Sequence, residues 1–157
     1  MSLLLDSGWR VWYRGQHQAA CATKTGNEFE TYVASSLRHR HLGFMNPDPA
    51  GAFGDGGCDG ITNDGLIVYA CYGSRQILNA ERALVTKMET DFSRGKDEWD
   101  AFETWRFVTN ARVGPKATAK LIEFNVLHDD SSARPISCVI WEEEELWTHV
   151  LAHLTNV

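Results

Sequence analysis

Gly54-Asp55-Gly56-Gly57-Cys58-Asp59-Gly60, followed after a short turn by Leu66-Ile67-Val68-Tyr69-Ala70-Cys71-Tyr72, decides how the rest of the chain is read. The first stretch sets two aspartates among glycines, and Gly56, Gly57 and Gly60 leave room for a substrate backbone to approach. The second stretch is almost wholly apolar or β-favouring, which predicts a strand inside a sheet. Asn63-Asp64-Gly65 between them is turn chemistry, so a hairpin is expected whose first arm ends near Ile61. Asp59 then stands at a strand end, a rigid place from which a carboxylate can hold a divalent ion.

Working outward, Trp9, Trp12 and Tyr13 have helical spacing and predict an amphipathic helix over about 8–22 that packs onto the body. Thr25-Gly26-Asn27-Glu28 reads as a capping box that opens a second helix. Phe29, Val33 and Leu37 form its apolar stripe, and it is expected to end near His41, before Gly43. Residues 46–51 read as a loop. A helix over about 76–93 carries Ile77, Leu84, Met88 and Phe92 on one face. Trp105–Thr109 reads as a strand, and Gly114-Pro115 opens a helix running to about Leu127. After the loop Asp129–Ser132 comes a last strand, Ile136–Trp141. Glu142 to Glu145 then open a final helix with Leu146, Trp147, Val150, Leu151 and Leu154 as its apolar face. Four glutamates there suit the helix macrodipole better than a ligand site. This order implies an α/β class: a three-layer α/β/α sandwich with a central mixed β-sheet. Residues 1–24 are read as an N-terminal helical extension and 25–157 as the domain.

The 157 residues are 43% hydrophobic and 23% charged, ordinary proportions for one globular domain. A net charge of −6 argues against gripping nucleic acid by bulk electrostatics. Arg38-His39-Arg40-His41 with Arg75, Arg82, Arg94 and Lys96 read either as a local basic groove or as a solvated face. No apolar run approaches the roughly 20 residues that span a bilayer, and Met1–Asp6 lacks the pattern of a signal peptide. No membrane association and a cytoplasmic location are therefore expected. Cys21, Cys58, Cys71 and Cys138 form no CxxC pair, so reduced thiols are expected. His149 and His153 share a helix face, but no Glu or Cys partner lies beside them to complete a zinc site.

Four segments resemble the PD-(D/E)xK restriction-endonuclease-like superfamily, nearest its Mrr-like branch. Gly26-Asn27-Glu28-Phe29-Glu30 is similar to that branch's Gly-x-x-Phe-Glu opening. Gly54-Asp55-Gly56-Gly57-Cys58-Asp59 is similar to its Gly-Asp-Gly-Gly-x-Asp, the most specific of the four. Trp105–Asn110 resembles a later core strand, and Ile136–Leu146 the closing strand and acidic helix start. The resemblance spans about residues 25–155. It implies a metal-dependent DNA endonuclease-like domain, using Mg²⁺ or Mn²⁺, in a setting such as phage defence or restriction. By position, Glu30 would be the helix carboxylate and Asp59 the metal-binding aspartate. Asp55 is either a second ligand or only a turn residue, and the backbone carbonyl of Cys71 would complete the set.

The strand after Asp59 should then read Glu/Gln-x-Lys. Ala70-Cys71-Tyr72 stands there instead. Alanine offers a metal no side-chain oxygen, and tyrosine has no ammonium charge, although its hydroxyl can position water or phosphate. Lys87, on the following helix, is either a migrated catalytic lysine or a solvated flank. Two readings follow. One is a Mg²⁺-dependent deoxyribonuclease with Glu30, Asp59, Lys87 and Tyr72 in its site. The other is a catalytically dead nuclease fold, kept as a DNA-binding or protein-interaction module of a larger complex. Six tryptophans suit an interface, with Trp9, Trp12, Trp99 and Trp105 as candidates. Self-association is left open.

Overall fold

The apolar run after the Asn63-Asp64-Gly65 turn lies inside a four-stranded sheet, in a computed structural model that describes residues 7–47, 59–74 and 80–154. Met1–Asp6, loop residues 48–51, the glycine run through Asp55 and Cys58, Arg75 and Ile77 lie outside the described residues. The strands are β1 (Gly60–Ile61), β2 (Ile67–Tyr72), β3 (Thr104–Thr109) and β4 (Ser137–Trp141), in that spatial order. β1 pairs antiparallel with β2, and β2, β3 and β4 run parallel. The turn closes as its residues predict. Thr62 Oγ1 and Leu66 N–H both donate to Asp64 Oδ1, at 2.7 and 3.0 Å, and Gly65 takes φ +74°, which glycine adopts without strain.

Five α-helices complete the described residues: α1 (Ser7–Thr23), α2 (Gly26–Arg40), α3 (Ala80–Glu98), α4 (Pro115–Leu127) and α5 (Glu143–His149). A 3-10 turn, Leu151–His153, follows α5. Side chains alternate along β2, so the sheet has an apolar cluster on each face. Val68 and Ala70 join Trp105 and Phe107 beneath Leu84, Met88 and Phe92 of α3 and Phe124 of α4. Tyr69 and Cys71 join Trp141 beneath Phe29, Val33 and Leu37 of α2 and Leu146 after β4. The molecule is thus an α/β fold around a mixed sheet. Cys21, Cys71 and Cys138 are buried free thiols. Among the described residues no helix is long and apolar enough to cross a membrane.

Three local expectations need correction. Thr25 precedes α2, but its side chain caps nothing, and Glu28 is exposed. The start of α2 is held instead by backbone contact: Gly26 N–H donates to Gly73 O at 3.2 Å, with Gly26 at φ +48°. A reciprocal capping box forms at α5, where Glu142 accepts from the Glu145 backbone and its own N–H donates to Glu145 Oε2 at 3.1 Å. A glutamate at the cap thus takes the part expected of Thr25. The apolar face foreseen for the last helix is also cut short, because α5 ends at His149 and Val150 turns the chain with φ −121°.

Trp9 and Trp12 are not the packing face of α1: they are 55% and 52% exposed. Polar contacts one and two turns on dock the helix. Arg14 pairs with Glu143. His17, 2% exposed, bridges Glu143 O through Nε2 at 2.8 Å and Tyr32 OH through Nδ1 at 2.6 Å. A carbonyl only accepts, so Nε2 carries the proton and the Tyr32 hydroxyl donates to Nδ1. That ring is neutral, and burial, the largest influence, lowers its pKa below the ordinary 6.5.

Two measurements check this packing. A Cβ on Gly73 would lie 2.5 Å from Gly26 O, so Gly73→Ala should destabilise by about 1–3 kcal/mol in urea unfolding. Gly15→Ala, with nothing within 4 Å, should be neutral or gain up to about 1 kcal/mol. A lowered histidine pKa gives stability that is present above 6.5 and lost as pH falls below it. The parent should therefore lose up to about 1.4 kcal/mol per pH unit per such histidine in that window, and His17→Gln should lose less. A parent curve flat from pH 7.5 to 5.5 would contradict the neutral His17.

Candidate functional site

The contact between Gly26 and Gly73 seats the start of α2 against the carboxyl end of β2, and the candidate residues gather there. Glu30 lies in the second turn of α2, partly exposed. It follows the fully buried Phe29, so the turn that anchors Phe29 in the core sends Glu30 toward the rim. Asp59 immediately precedes β1 and is also partly exposed. At least three hydrogen bonds hold it. Its N–H donates to Tyr69 O at 2.8 Å. Asn46 Nδ2 donates to its carbonyl at 2.5 Å, and Cys71 N–H to its Oδ2 at 2.6 Å. Arg38 Nη2 in turn donates to Asn46 Oδ1 at 2.5 Å and steadies it. Alternate residues of a strand direct their N–H and C=O to the same neighbour. The Cys71 carbonyl is therefore on the side of β2 that faces Asp59.

Lys87 comes from α3, on the other side of the sheet. Its ammonium is 3.1 Å from Asp91 Oδ2, with side-chain exposures of 38% and 2%. Burial, the largest single influence, lowers the Lys87 pKa. The charge and hydrogen bond of Asp91, then the charges of Asp59 and Glu30, outweigh it, and the net direction is up from 10.5. Two conclusions follow. Glu30, Asp59 and Lys87 are close enough to share a field although α2, the β1 start and α3 supply them separately. Lys87 also stays a cation at neutral pH, so it stabilises negative charge and does not act as a base. Asp91 was not singled out from the sequence. Its signal was the i, i+4 spacing from Lys87 on the stripe that includes Leu84 and Met88.

Tyr72 ends β2 on the Ala70 face, partly buried against the α3 and α4 cluster, while Tyr69 lies on the opposite face. Ala70 is 0% exposed. Asp55 lies outside the described residues. The donor chemistry suits Mg²⁺, a hard ion that binds through one or two carboxylates and completes its shell with water and phosphate oxygens. Glu30, Asp59 and the Cys71 carbonyl are of that kind. Among the described residues no group of three or more His, Cys, Asp or Glu side chains converges on one point. His149 and His153 do not share a helix face, since His149 ends α5 and stacks on Trp141 at 5.2 Å.

The basic residues read as a groove or as a solvated face are spread over the end of α2 and over α3, and Arg75 lies outside the described residues. Lys96 lies over Phe92 at 4.6 Å, with its Nζ 3.3 Å from His128 Nε2. Arg40 and His41 line a separate pocket with Arg106 and His149. That grouping draws on α2, β3 and α5, so no local motif announced it.

Comparison of the chain with protein-family models, with curated proteins and with solved structures found no match. The centre is therefore argued from its own geometry, which makes a definite demand on Lys87. Its titration, followed by NMR of the side chain next to the ammonium, should centre above 10.5. Stability contributed by this raised pKa is fully present below 10.5 and lost as pH rises beyond it. A midpoint below that value would separate Lys87 from the carboxylates.

Proposed function

We propose that this chain carries a restriction-endonuclease-like domain, a three-layer α/β/α sandwich built to act on DNA phosphodiesters with Mg²⁺ or Mn²⁺. One observation carries the reading. A carboxylate from α2, a carboxylate from the start of β1 and a lysine from α3 meet electrostatically at one end of the sheet. Asp59 is oriented by the Cys71 N–H, a fixed donor that keeps one carboxylate oxygen in place. Glu30 adds a second oxygen donor. Lys87 supplies the standing positive charge that a pentavalent phosphate needs, and Asp91 holds its ammonium in position. The Tyr72 hydroxyl can orient water or phosphate from the same face. A bound Mg²⁺ would supply Lewis-acid charge and a lowered water pKa. A lysine on α3 would thus do from a helix what the resemblance expects from β2.

A second reading has its own observations. Ala70 removes the ligand expected from β2. Trp9, Trp12 and Tyr13 form an exposed aromatic group on α1, with Trp9 and Trp12 ring centres 6.0 Å apart. Both fit a nuclease fold that has lost catalysis and serves as a DNA-binding or protein-interaction module in a larger assembly.

Cleavage of plasmid and linear DNA in Mg²⁺ or Mn²⁺ separates them. On the first reading the parent nicks DNA, and Asp59→Ala, Glu30→Gln and Lys87→Met each lower the rate by about 100-fold or more. A parent that neither cleaves nor shows Mn²⁺ broadening of resonances around Asp59 would overturn that reading and leave the module.

A further inference from the structure

At the opposite end of the sheet, where β2, β3 and β4 begin, a pocket of about 470 Å³ opens between α2 and α5. Ile67, Thr104 and Ser137 are the first residues of their strands and form its rim. Four basic side chains line it: Arg40, His41, Arg106 and His149. Among the described residues no carboxylate does. The volume falls in the range of small-ligand sites, which run about 300–1,000 Å³.

Arg106 is the centre of the cluster. It projects from β3, the third of the four strands, onto the face that α2 covers. Its Nη1 donates to Tyr69 OH at 2.6 Å. Its guanidinium lies 4.6 Å from the Trp141 ring centre and 5.5 Å from that of Tyr69. The two rings fix the plane of the guanidinium and shield it from water. One N–H is spent on Tyr69, and no ion pair with a carboxylate is formed by Arg106 or Arg40 among the described residues. A partly buried guanidinium held by aromatic faces and left without an anion is a costly arrangement unless an anion completes it. His41 stands beside it, Nε2 3.1 Å from the same Tyr69 hydroxyl. His149 stacks on Trp141.

We propose that this pocket is a binding site for a phosphate group, free or carried on an ester, remote from the Asp59 centre. The planar fork of arginine matches two phosphate oxygens at once. The two arginines supply only donors, and the two imidazoles and the Thr104 and Ser137 hydroxyls can each donate as well, which suits an anion. The proposal does not depend on nuclease activity, since none of these residues belongs to the Asp59 centre.

The pocket also carries a pH response. Burial first, then the charges of Arg40 and Arg106, lower the His41 pKa from 6.5, and Asp64 opposes them weakly. A phosphate dianion in the pocket would favour the protonated ring, so affinity for the dianion, corrected for the ligand's own second pKa near 6, should rise as pH falls from 7.5 toward 5.5. Tyr69 donates or accepts at His41 but carries no charge there, because burial raises its pKa further from neutrality.

The test titrates the intact chain with inorganic phosphate, adenosine monophosphate and a short DNA duplex, each at fixed ionic strength, and follows the His41 and His149 ring resonances. Both rings should shift with phosphate, and Arg40→Ala, a substitution at an exposed residue, should weaken binding about tenfold. Arg106→Lys keeps the charge but loses the fork, and it should weaken binding by a similar factor with the fold intact by circular dichroism. Saturation by phosphate and the mononucleotide but not the duplex identifies a small phosphorylated ligand. Saturation by the duplex, with strong salt dependence and unchanged Asp59→Ala behaviour, identifies a nucleic-acid backbone. Absence of shifts with all three probes, or equal displacement by chloride at equal ionic strength, or unchanged affinity in folded Arg40→Ala and Arg106→Lys, overturns the proposal.

Discussion

The backbone contact between Gly26 and Gly73 sets the geometry on which the rest depends. Any side chain at Gly73 would strike the Gly26 carbonyl or amide within 2.6 Å. Glycine there lets α2 begin in direct contact with the end of β2. From that origin, Phe29, Val33 and Leu37 fall on the sheet in helical register, and Glu30 reaches the rim beside Asp59. The loop after α2 returns to the same place, where Asn46 grips the Asp59 carbonyl. Helix, loop and hairpin thus close on one point, each through backbone or a short polar side chain. Such contacts tolerate little movement, which is what a site needs from its scaffold.

Charge is distributed with similar economy. The molecule is acidic as a whole, yet its two ends differ. Toward the carboxyl end of the parallel strands, Asp91 pairs with the Lys87 ammonium and the charges of Asp59 and Glu30 act on it. At the amino end, arginines and imidazoles surround a pocket that no carboxylate lines among the described residues. The sheet separates the two: Tyr69 sends its hydroxyl to the basic pocket, while its neighbour Cys71 turns its N–H to Asp59. One strand therefore organises both sites through the same alternation that divides its apolar side chains between two cores.

What the sequence disclosed follows from the range of the interactions. The hairpin, the α2 stripe and the parallel strands were legible because turn chemistry and periodicity are local signals that packing then reinforces. The two tryptophans of α1 misled for the opposite reason. Helical spacing shows that residues share a face, not that the face is buried, and α1 is docked by Arg14 and His17 reaching residues 143 and 32. No pattern within the helix encodes that. Thr25 had the right residue type for a cap but lost the place to a backbone contact 47 positions away, Gly26 to Gly73. Arg106 matters through Tyr69 and Trp141 on other strands, with a charge between Trp105 and Phe107 as its local hint, whereas Asp91 pairs with Lys87 one turn earlier on α3.

Ala70 carries the remaining tension in the fold. It is fully buried and faces the Leu84–Met88 stripe of α3, the helix from which Lys87 comes. A small residue there lets Leu84 and Met88 of α3 pack directly against β2. A glutamine or glutamate at position 70 would push into that packed surface, an overpacking that costs about 1–3 kcal/mol. It would also need polar partners that an apolar cluster does not offer. Position 70 is therefore a packing position on β2 as well as the place where the resemblance expects a ligand.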